Sequence, residues 1–426
     1  MDSLITGASL EGMLPASQSK WALHRMIFCC ALSEEPTVIT INDLSGDICG
    51  AIDTVIRFGG AVLPVSEREY RITPIWEKKA ENPVIYARES GTFLRFIIPV
   101  AAALFDSFEI RCAAAIPPFS PIMQQMEEHG CSCSYGDGVM RFKGKLKGGD
   151  FTLAGNTGGR FLSGLLFALP LLEEDSRVSF TSRLQTGGYV DMTLEKAAKY
   201  GVRIYRQGMG YFVKGNQRYL KPFDREKLTV EGDWAGAAFW LAAGAIGGDV
   251  CCGGLSTLSS QPDKEIVPLL ARMGADIRAD NRTNSVFALK SRLYGIDVDC
   301  SAVPDLVPAL AVAMSLAKGN SMIRNIGWLR HKESDRIRAL CHNLNLMGAK
   351  VTEYDDALGF VGVKQLKGAE IDSFGDHRIA MAMAIAATYA KGKTVLKNSD
   401  AVRKSYPRFY YDFKQLGGII EDIKER

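Results

Sequence analysis

A short pattern recurs six times along the chain, at intervals of about 70 residues. In each copy an amphipathic stretch ends in a glycine and a β-rich run follows. Glycine suits the C-terminal end of a helix, because it adopts the left-handed backbone conformation without strain from a Cβ atom. The sequence therefore predicts a helix followed by a strand in six copies. The six glycines are Gly59, Gly130, Gly201, Gly274, Gly348 and Gly417.

A second, almost wholly apolar helix is predicted before each of these copies. Examples are RFLSGLLFALPLL before Gly201 and HRIAMAMAIAATYAKG before Gly417. A helix that is apolar on every side is expected to be buried on every side. Six such units exceed one core of normal size, so the repeat predicts two domains of three units each. A solenoid array is the alternative, although its units are usually shorter.

Composition excludes several classes of protein. The net charge of +3 is too small for the basic surface of a nucleic-acid-binding protein. The longest apolar stretches, of about a dozen residues, are shorter than the roughly 20 that a membrane span needs. The first residues show no signal-peptide pattern, so a cytoplasmic location is expected. The ten cysteines lack the spacing of a zinc site and are expected to be buried, reduced thiols.

Five segments, spread over the second half of the chain, resemble the enolpyruvyl transferases, and within them the shikimate-pathway synthases. The order and spacing of the motifs agree with that family from about Gly12 to Gly417. The segments are EGDWAGAAFWLAAGAI (231–246), VPDLVPALAVAMSLAKG (303–319), LRHKESDR (329–336), GDHRIAMAMAIAA (375–387) and RKSYPRFYYDF (403–413).

The resemblance implies an α/β fold of two domains, each made of three βαβαββ units in an arrangement like an inverse α/β barrel. The expected domains are 15–226 and 227–426, the second being completed by residues 1–14 and the two closing on their ligands. The implied reaction moves the enolpyruvyl group of phosphoenolpyruvate to the 5-hydroxyl of shikimate 3-phosphate. These two small molecules are the expected partners of a monomer that uses no cofactor, metal, nucleic acid or membrane.

The segment LPASQSKWALHR predicts a helix start that carries Lys20 and Arg25. By spacing alone such charges usually belong to a solvated helix face. In the resemblance, however, Lys20 binds phosphoenolpyruvate, whereas Ser19 and Arg25 bind the acceptor. Trp21 stands where the family has a second hydroxyl residue, which is a departure in the acceptor pocket.

Two further helix starts are candidate anion sites. In ESGTFLRF, Gly91 and Thr92 begin a predicted helix and Arg95 lies one turn inside it. Free backbone N–H groups, the helix dipole and a guanidinium together favour an anion, although an ordinary helix cap would show the same pattern. The resemblance assigns all three positions to phosphoenolpyruvate.

The segment LAGNTGGRFLSGLL is the other start, with Gly158, Gly159 and Arg160 where the family has Ser-Ser-Gln. The glycines keep backbone donors for the acceptor but lose both hydroxyls. Arg160 replaces them with charge-assisted hydrogen bonds and also faces the phosphate of phosphoenolpyruvate in this interpretation. Downstream, Thr186 and Tyr189 are further acceptor contacts that the resemblance implies.

The C-terminal half matches the family more fully. Asp305 follows a proline and precedes a helix, which alone indicates an N-cap. Lys332 and Arg336 are four residues apart on one predicted helical face, with Glu333 beside them. The resemblance makes Asp305 the base for the attacking hydroxyl and Lys332 and Glu333 proton-transfer groups. It places Asp305 and Lys332 against the acceptor and Arg336 against the carboxylate of phosphoenolpyruvate.

The helix start GDHR and the later loop RKSYP complete the predicted set. Asp376, His377 and Arg378 open a buried helix in this interpretation. The resemblance makes His377 a catalytic neighbour, Arg378 a second carboxylate ligand and Lys404 a phosphate ligand.

Three alternatives remain open from the sequence. Departures at Trp21, Gly158, Gly159 and Arg160 favour a paralogue that uses another hydroxyl acceptor, because they concentrate on acceptor contacts. Ser120 is a further departure, since the family has there an arginine directed at the phosphate of phosphoenolpyruvate. The sister UDP-N-acetylglucosamine enolpyruvyl transferases have Lys-Asn near the start and a reactive cysteine, and this chain matches neither. A non-catalytic anion-binding relative is the third alternative, but a binder has no need of proton-transfer groups.

Overall fold

The chain forms two compact units in the computed structural model. One unit is residues 20–230, and the other combines residues 1–19 with 231–426. The domains expected from the sequence, 15–226 and 227–426 with 1–14, differ from these units by about five residues at each boundary. The structure describes residues 1–88, 91–112, 120–155, 159–182, 184, 187–222 and 227–423.

The first residues of the chain are built into the sheets of the second unit. Strand β1 (Asp2–Thr6) pairs in antiparallel fashion with two strands near the C-terminus. Strand β2 (Glu11–Pro15) runs parallel to a strand that follows residue 248. Leu10 and Leu14 are buried in the same apolar core as the C-terminal helices.

The unit of residues 20–230 alternates strands with helices that are mostly buried. Its described elements are α1 (Lys20–Leu32), β3 (Thr37–Thr40), α2 (Gly46–Phe58), β4 (Ala61–Pro64), β5 (Glu69–Thr73), β6 (Val84–Arg88), α3 (Gly91–Leu104), β7 (Ser107–Cys112), α4 (Ser120–Glu128), β8 (Ser132–Gly136), β9 (Val139–Lys143), β10 (Gly149–Leu153), α5 (Gly159–Ala168), β11 (Ser176–Phe180), α6 (Gly187–Lys199), β12 (Ile204–Gln207), β13 (Gly210–Val213) and β14 (Lys227–Leu228).

The unit that contains residues 231–426 repeats the same alternation. Its further described elements are α7 (Trp234–Gly247), β15 (Asp249–Gly253), α8 (Ile266–Arg272), β16 (Asp276–Asp280), β17 (Ser285–Leu289), β18 (Asp297–Asp299), α9 (Val307–Leu316), β19 (Asn320–Arg324), α10 (Arg336–Leu346), β20 (Lys350–Tyr354), β21 (Ala357–Val361), β22 (Leu366–Lys367), β23 (Glu370–Asp372), α11 (His377–Thr388), β24 (Ala390–Lys391), β25 (Lys393–Lys397), α12 (Phe409–Gln415) and β26 (Ile419–Ile423).

The described strands form six four-stranded sheets of one design, besides a small two-stranded sheet of β22 and β24. In the second copy the order β6–α3–β7–α4–β8–β9 gives the sheet β6-β7-β9-β8, whose first pair is parallel and whose other pairs are antiparallel. Three copies borrow a strand from a distant part of the chain: β14 joins β3, β2 joins β15 and β1 joins β26. These sheets confirm the predicted α/β fold built from βαβαββ units.

The six repeat glycines all have positive φ, which confirms the predicted helix ends. Gly59, for example, has φ of 115° and closes α2 by donating its N–H to carbonyls of the last turn. An L-residue at this position would be strained, because its Cβ atom would also meet the carbonyl oxygen of Glu77. Each repeat therefore turns from helix to strand at a residue with no side chain.

Each unit encloses its own apolar core. Helices α7, α9 and α11 are buried almost throughout, as the sequence predicted for helices that are apolar on every side. The two separate cores exclude a solenoid array, in which a single core would run along the whole chain.

Six of the nine cysteines whose side chains are described are buried, and all nine are free thiols. Among the described residues, no helix is both long and apolar enough to span a bilayer.

Candidate active site

Arg336, the first residue of α10, lies at the centre of a buried ion-pair network. Its guanidinium donates to both carboxylate oxygens of Asp376, from Nε at 2.7 Å and from Nη2 at 3.2 Å. It also donates to Glu333 at 2.8 Å and to Asp305 at 3.3 Å. Burial alone would lower the pKa of Arg336, but the three carboxylates outweigh burial and raise it. The guanidinium is therefore a fixed positive charge with a set orientation.

Asp305 joins this arginine to a second one. The Arg378 guanidinium donates from Nη2 to Asp305 Oδ2 at 2.9 Å, and from Nη1 to the Asp305 carbonyl at 3.3 Å. The short 3-10 helix Pro304–Leu306 places Asp305 before α9, yet no side chain caps either helix there. The N-cap interpretation of Asp305 is therefore wrong. Its carboxylate is 97% buried and lies between two arginines.

Glu333 links a further predicted residue, Lys404, to the same network. Lys404 Nζ lies 3.4 Å from Glu333 Oε1. Burial alone would raise the pKa of Glu333, but the positive charges of Arg336, His377, Lys404 and Lys332 outweigh it. The pKa of Glu333 is thus held well below its ordinary value. Glu333 is a carboxylate at neutral pH and is surrounded by every cation predicted for this half of the site except Arg378.

Asp376 organises the start of α11, as the GDHR motif indicated. Its carboxylate accepts the backbone N–H of Arg378 at 2.9 Å as an N-cap and also accepts the hydroxyl of Ser334 at 3.2 Å. His377 follows it, with Nδ1 at 3.9 Å from Asp376 Oδ1. One carboxylate therefore orients the guanidinium of Arg336 and holds the backbone at Arg378.

Lys332 does not share a helical face with Arg336, and that expectation is wrong. Asp335 caps α10 by accepting the N–H of Arg338 at 3.0 Å, so the helix begins only at Arg336. Lys332 instead follows the 3-10 turn Gly327–His331 in an extended conformation. Its ammonium lies over the ring of Trp328, with Nζ 3.9 Å from the ring centroid.

In the unit of residues 20–230, Lys20 begins α1 and is buried rather than solvated. Its ammonium donates to Asp47 Oδ2 at 2.7 Å, and both side chains are at least 90% buried. His24 lies one turn further along α1, where its Nε2 is 3.3 Å from the Asp47 carbonyl. Burial lowers the pKa of His24 to about 4, so its imidazole is neutral at pH 7.

Arg25 is also buried and is bonded within its own unit. It donates to the hydroxyls of Thr193 at 2.8 Å and Ser163 at 3.2 Å, and to the carbonyls of Trp21 at 2.8 Å and Tyr189 at 2.7 Å. Burial lowers the pKa of Arg25 to about 9. In this structure Arg25 thus ties together three helices, α1, α5 and α6. A contact with the acceptor stays a prediction.

Trp21 packs against the predicted acceptor residues. Its ring lies 5.4 Å from the ring of Tyr189, and the guanidinium carbon of Arg160 is 5.0 Å from its centroid. The Lys20 ammonium lies 5.8 Å from the same centroid. The structure therefore brings Lys20, Arg160 and Tyr189 around one indole, in the position where the family has a small hydroxyl residue.

The two predicted anion sites do begin helices. Helix α3 starts at Gly91, with Arg95 in its second turn, and α5 starts at Gly159, with Arg160 next to it. Gly158 and Thr186 lie outside the described residues, as does the side chain of Thr92. Ser19 lies at the end of the first segment, where its hydroxyl donates to Gln261 Oε1 at 3.0 Å. A role for these residues in binding stays a prediction.

Two functional carboxylates were missed from the predicted site set. Asp47 lies in the first turn of α2 and is the partner of Lys20, which is 27 residues earlier in the sequence. Asp376 was noted only as the start of a helix. Its contact with Arg336 spans 40 residues of sequence and has no local signal.

Among the described residues, no group of three His, Cys, Asp or Glu side chains is placed to hold a metal ion.

Comparisons with known proteins bear on the family and the fold of the chain. A family model described as EPSP synthase (3-phosphoshikimate 1-carboxyvinyltransferase) matches residues 5–413. A 3-phosphoshikimate 1-carboxyvinyltransferase of Clostridium perfringens is 38% identical, covering 98% of this chain and 99% of the relative. One from Clostridium acetobutylicum is 37% identical, with 98% of each chain covered. The EPSP synthase structure from Acinetobacter baumannii superposes with a TM-score of 0.81 at 23% identity, over 99% of both chains. The chain therefore belongs to the EPSP synthase family.

Proposed function

We propose that this chain transfers the enolpyruvyl (carboxyvinyl) group of phosphoenolpyruvate to the 5-hydroxyl of shikimate 3-phosphate and releases phosphate. The reaction supplies chorismate and the aromatic amino acids. The observation that carries the proposal is the buried network of Asp305, Glu333 and Asp376 with Arg336 and Arg378, in a chain of this family. Carboxylates that can exchange protons lie there beside fixed cations that can hold an anion.

The chemistry needs both kinds of group. The methylene carbon of phosphoenolpyruvate takes up a proton while the acceptor oxygen attacks the adjacent carbon, and the attacking hydroxyl loses its proton. The tetrahedral ketal then loses a proton from the new methyl group and expels phosphate, which restores the double bond. The sum is one enolpyruvyl ether and one inorganic phosphate. Both an acid and a base are required, and each is worth about 10² to 10⁴ in rate.

In this proposal Asp305 is the base that accepts the hydroxyl proton. Lys332 and Glu333 carry the proton to and from the methylene carbon, with His377 as a catalytic neighbour. The low pKa of Glu333 keeps it ionised at neutral pH. Arg336 holds its orientation through Asp376, so its longer bond to Asp305, at 3.3 Å, is the one that a substrate carboxylate replaces.

The other ligands of phosphoenolpyruvate are proposed from both parts of the sequence. Cations and helix N-termini suit a molecule with both a carboxylate and a phosphate. We assign Arg378 and Arg336 to its carboxylate and the remaining groups mainly to its phosphate. The proposed ligands are Lys20, Gly91, Thr92, Arg95, Arg160, Arg336, Arg378 and Lys404.

The acceptor is proposed to bind mainly through the unit of residues 20–230. Tyr189 and Arg160 already flank the Trp21 ring, and the start of α5 offers backbone N–H groups to a phosphate. The proposed acceptor ligands are Ser19, Arg25, Gly158, Gly159, Thr186, Tyr189, Asp305 and Lys332. Because one chain supplies every group, we also propose that the enzyme acts as a cytoplasmic monomer.

A paralogous transferase with a different hydroxyl acceptor is the second candidate. The specific observation that favours it is the Trp21–Arg160 contact, where bulk and charge replace the small hydroxyls of the family. The proton-transfer set would serve either acceptor. A non-catalytic anion-binding relative is disfavoured, because the carboxylates of Asp305 and Glu333 would weaken the binding of an anion.

One experiment separates these candidates. The purified protein is incubated with phosphoenolpyruvate and shikimate 3-phosphate, and released phosphate is measured, with an Asp305→Asn variant as the control. Turnover of about 1 s⁻¹ or faster that the variant lacks supports the synthase. Activity only with another alcohol from an acceptor panel supports the paralogue. Binding of phosphoenolpyruvate with no turnover on any acceptor would overturn the proposal.

A further inference from the structure

Trp328 is an aromatic residue of the candidate site to which no role has been assigned. The Lys332 ammonium nitrogen lies 3.9 Å from the centroid of its ring. The other cation–ring contacts of the described residues have distances of 4.5 Å or more. An ammonium in this position is attracted to the negative face of the indole, and Trp provides the strongest such face.

The turn that carries Trp328 is held rigidly. The carboxylate of Asp356 accepts the backbone N–H of Gly327 at its start. Near its end, Arg330 donates to Glu353 at 2.8 Å and to the Tyr354 carbonyl at 2.8 Å. Because both ends of the turn are anchored, the backbone position from which the indole projects is fixed.

The indole N–H does not explain why the ring lies where it does. Its nitrogen is buried, and no hydrogen-bond acceptor for it exists among the described residues. A buried donor without a partner is unfavourable, so another interaction must favour this orientation. The contact that the structure offers is the one between the ring face and Lys332.

The charges around Lys332 indicate what this contact does. Glu333 is its neighbour in sequence, and the charge of Lys332 contributes to the low pKa of that carboxylate. A lysine side chain is flexible, so its stem alone does not fix the position of the ammonium. An aromatic face attracts the ammonium but cannot accept its proton. It can therefore hold the group in place and leave its proton available for transfer.

We propose that Trp328 is a positioning residue for Lys332: its ring face is a platform that fixes the ammonium for proton transfer. This inference rests on the proposed function of Lys332. The platform acts mainly on the rate of the chemical step. Because Lys332 is also a proposed acceptor ligand, the substrate whose KM should stay unchanged is phosphoenolpyruvate. A cation–π contact of this kind corresponds to roughly 2- to 30-fold in rate.

The kinetic test compares Trp328→Phe, which keeps a weaker face, with Trp328→Leu, which keeps only bulk. Trp76→Leu is the matched control, because Trp76 is exposed and lies in the other unit. We expect kcat to fall about 2- to 5-fold in Trp328→Phe and about 10- to 30-fold in Trp328→Leu, with the KM for phosphoenolpyruvate within about twofold of the wild type. Equal losses of kcat in both variants together with a raised KM for phosphoenolpyruvate would overturn the inference, since the N–H would then be binding substrate.

A second measurement, by NMR, detects the contact itself and does not depend on turnover. In ¹H–¹³C spectra of lysine-labelled protein, the ε-methylene protons of Lys332 should be shifted upfield by the ring and should disappear from that position in Trp328→Leu and in Lys332→Arg. Absence of such a resonance in the wild type would overturn the platform. If the wild type shows the resonance but lacks turnover with shikimate 3-phosphate, the proposed function fails while the platform stands.

Discussion

The predicted site residues of the two units differ in the groups that surround their charges. In the unit of residues 231–426, three carboxylates and four cations lie together in one network. In the unit of residues 20–230, Lys20 pairs with Asp47, and the ring of Trp21 lies against Lys20, Arg160 and Tyr189. The carboxylates of the network are Asp305, Glu333 and Asp376, and its cations are Lys332, Arg336, Arg378 and Lys404. The predicted cations of residues 20–230 are Lys20, Arg25, Arg95 and Arg160.

This difference suggests a division of labour within one reaction. A set that combines cations, aromatic rings and helix N-termini is suited to binding an anionic ligand. A set in which carboxylates already offset the cations gains less from an anion, but it can pass a proton from one member to another. We infer that residues 20–230 mainly hold the substrates and that residues 231–426 mainly perform the proton transfers.

The largest expected effect is on turnover, from Asp305→Asn. The amide keeps the size of the carboxylate but cannot accept the hydroxyl proton, so kcat should fall by about 10² to 10⁴. The Kd for shikimate 3-phosphate, measured by calorimetry, should stay within about threefold. Asp297→Asn, at an exposed position of the same unit, is the control and should keep wild-type kinetics. A loss of affinity with unchanged kcat would reverse the assigned roles of the two units.

Arg336→Met tests whether the C-terminal network is as tightly balanced as its geometry implies. It leaves Asp376 and Asp305 buried without their shared partner, so the free energy of unfolding should fall by about 3 to 5 kcal/mol. Urea unfolding followed by circular dichroism measures this loss. Arg278→Met, which removes an exposed pair with Asp276, should cost less than about 1 kcal/mol. Similar losses in the two variants would contradict the description of the network.

His24 tests the electrostatics of the N-terminal unit through pH. Its folded-state pKa of about 4 lies below the ordinary value of 6.5, so acid protonates the unfolded chain first. Its contribution is present above pH 6.5 and is lost as the pH falls towards 4, by up to about 3 kcal/mol. His24→Gln should flatten the fall in unfolding free energy across this window. His331→Gln, at an exposed histidine, should leave it unchanged, and an equal flattening there would refute the assignment.

Arg160→Gln gives the smallest effect and bears on binding alone. Glutamine loses the charge and the contact with Trp21, so KM for shikimate 3-phosphate should rise about 10- to 100-fold with little change in kcat. Steady-state kinetics measure both constants. Arg206→Gln, which removes an exposed pair with Asp191, is the control. A fall in kcat with unchanged KM would place Arg160 in the proton-transfer chemistry and contradict the division of roles between the two units.

The repeat and the fold could be predicted from the sequence because their signals are local. Gly59 and Gly348 end helices for a reason that lies in their own backbone, and the motif around Asp305 is contiguous. The helical face of Lys332 was predicted wrongly, since the spacing of four residues fits a helix whether or not one forms. The cap at Asp335, which starts the helix after Lys332, decided the outcome.

The ion pairs of the site could not be predicted, because they join residues far apart in sequence. Asp376 meets Arg336 across 40 residues and Lys20 meets Asp47 across 27 residues. Nothing in the local pattern of either acid distinguishes it from an ordinary residue at the start of a helix. The sequence indicates that Trp21 is a departure in the acceptor pocket, but only the folded chain shows Tyr189 and Arg160 against its ring.

The most direct test of the account is the fate of solvent hydrogen during turnover. The enzyme is run in D₂O with phosphoenolpyruvate and shikimate 3-phosphate, and the product is analysed by mass spectrometry. Protonation of the methylene carbon followed by loss of a proton from the resulting methyl group should leave deuterium in the vinyl group of the product. Product that forms at the normal rate with no deuterium in that group would contradict the central claim.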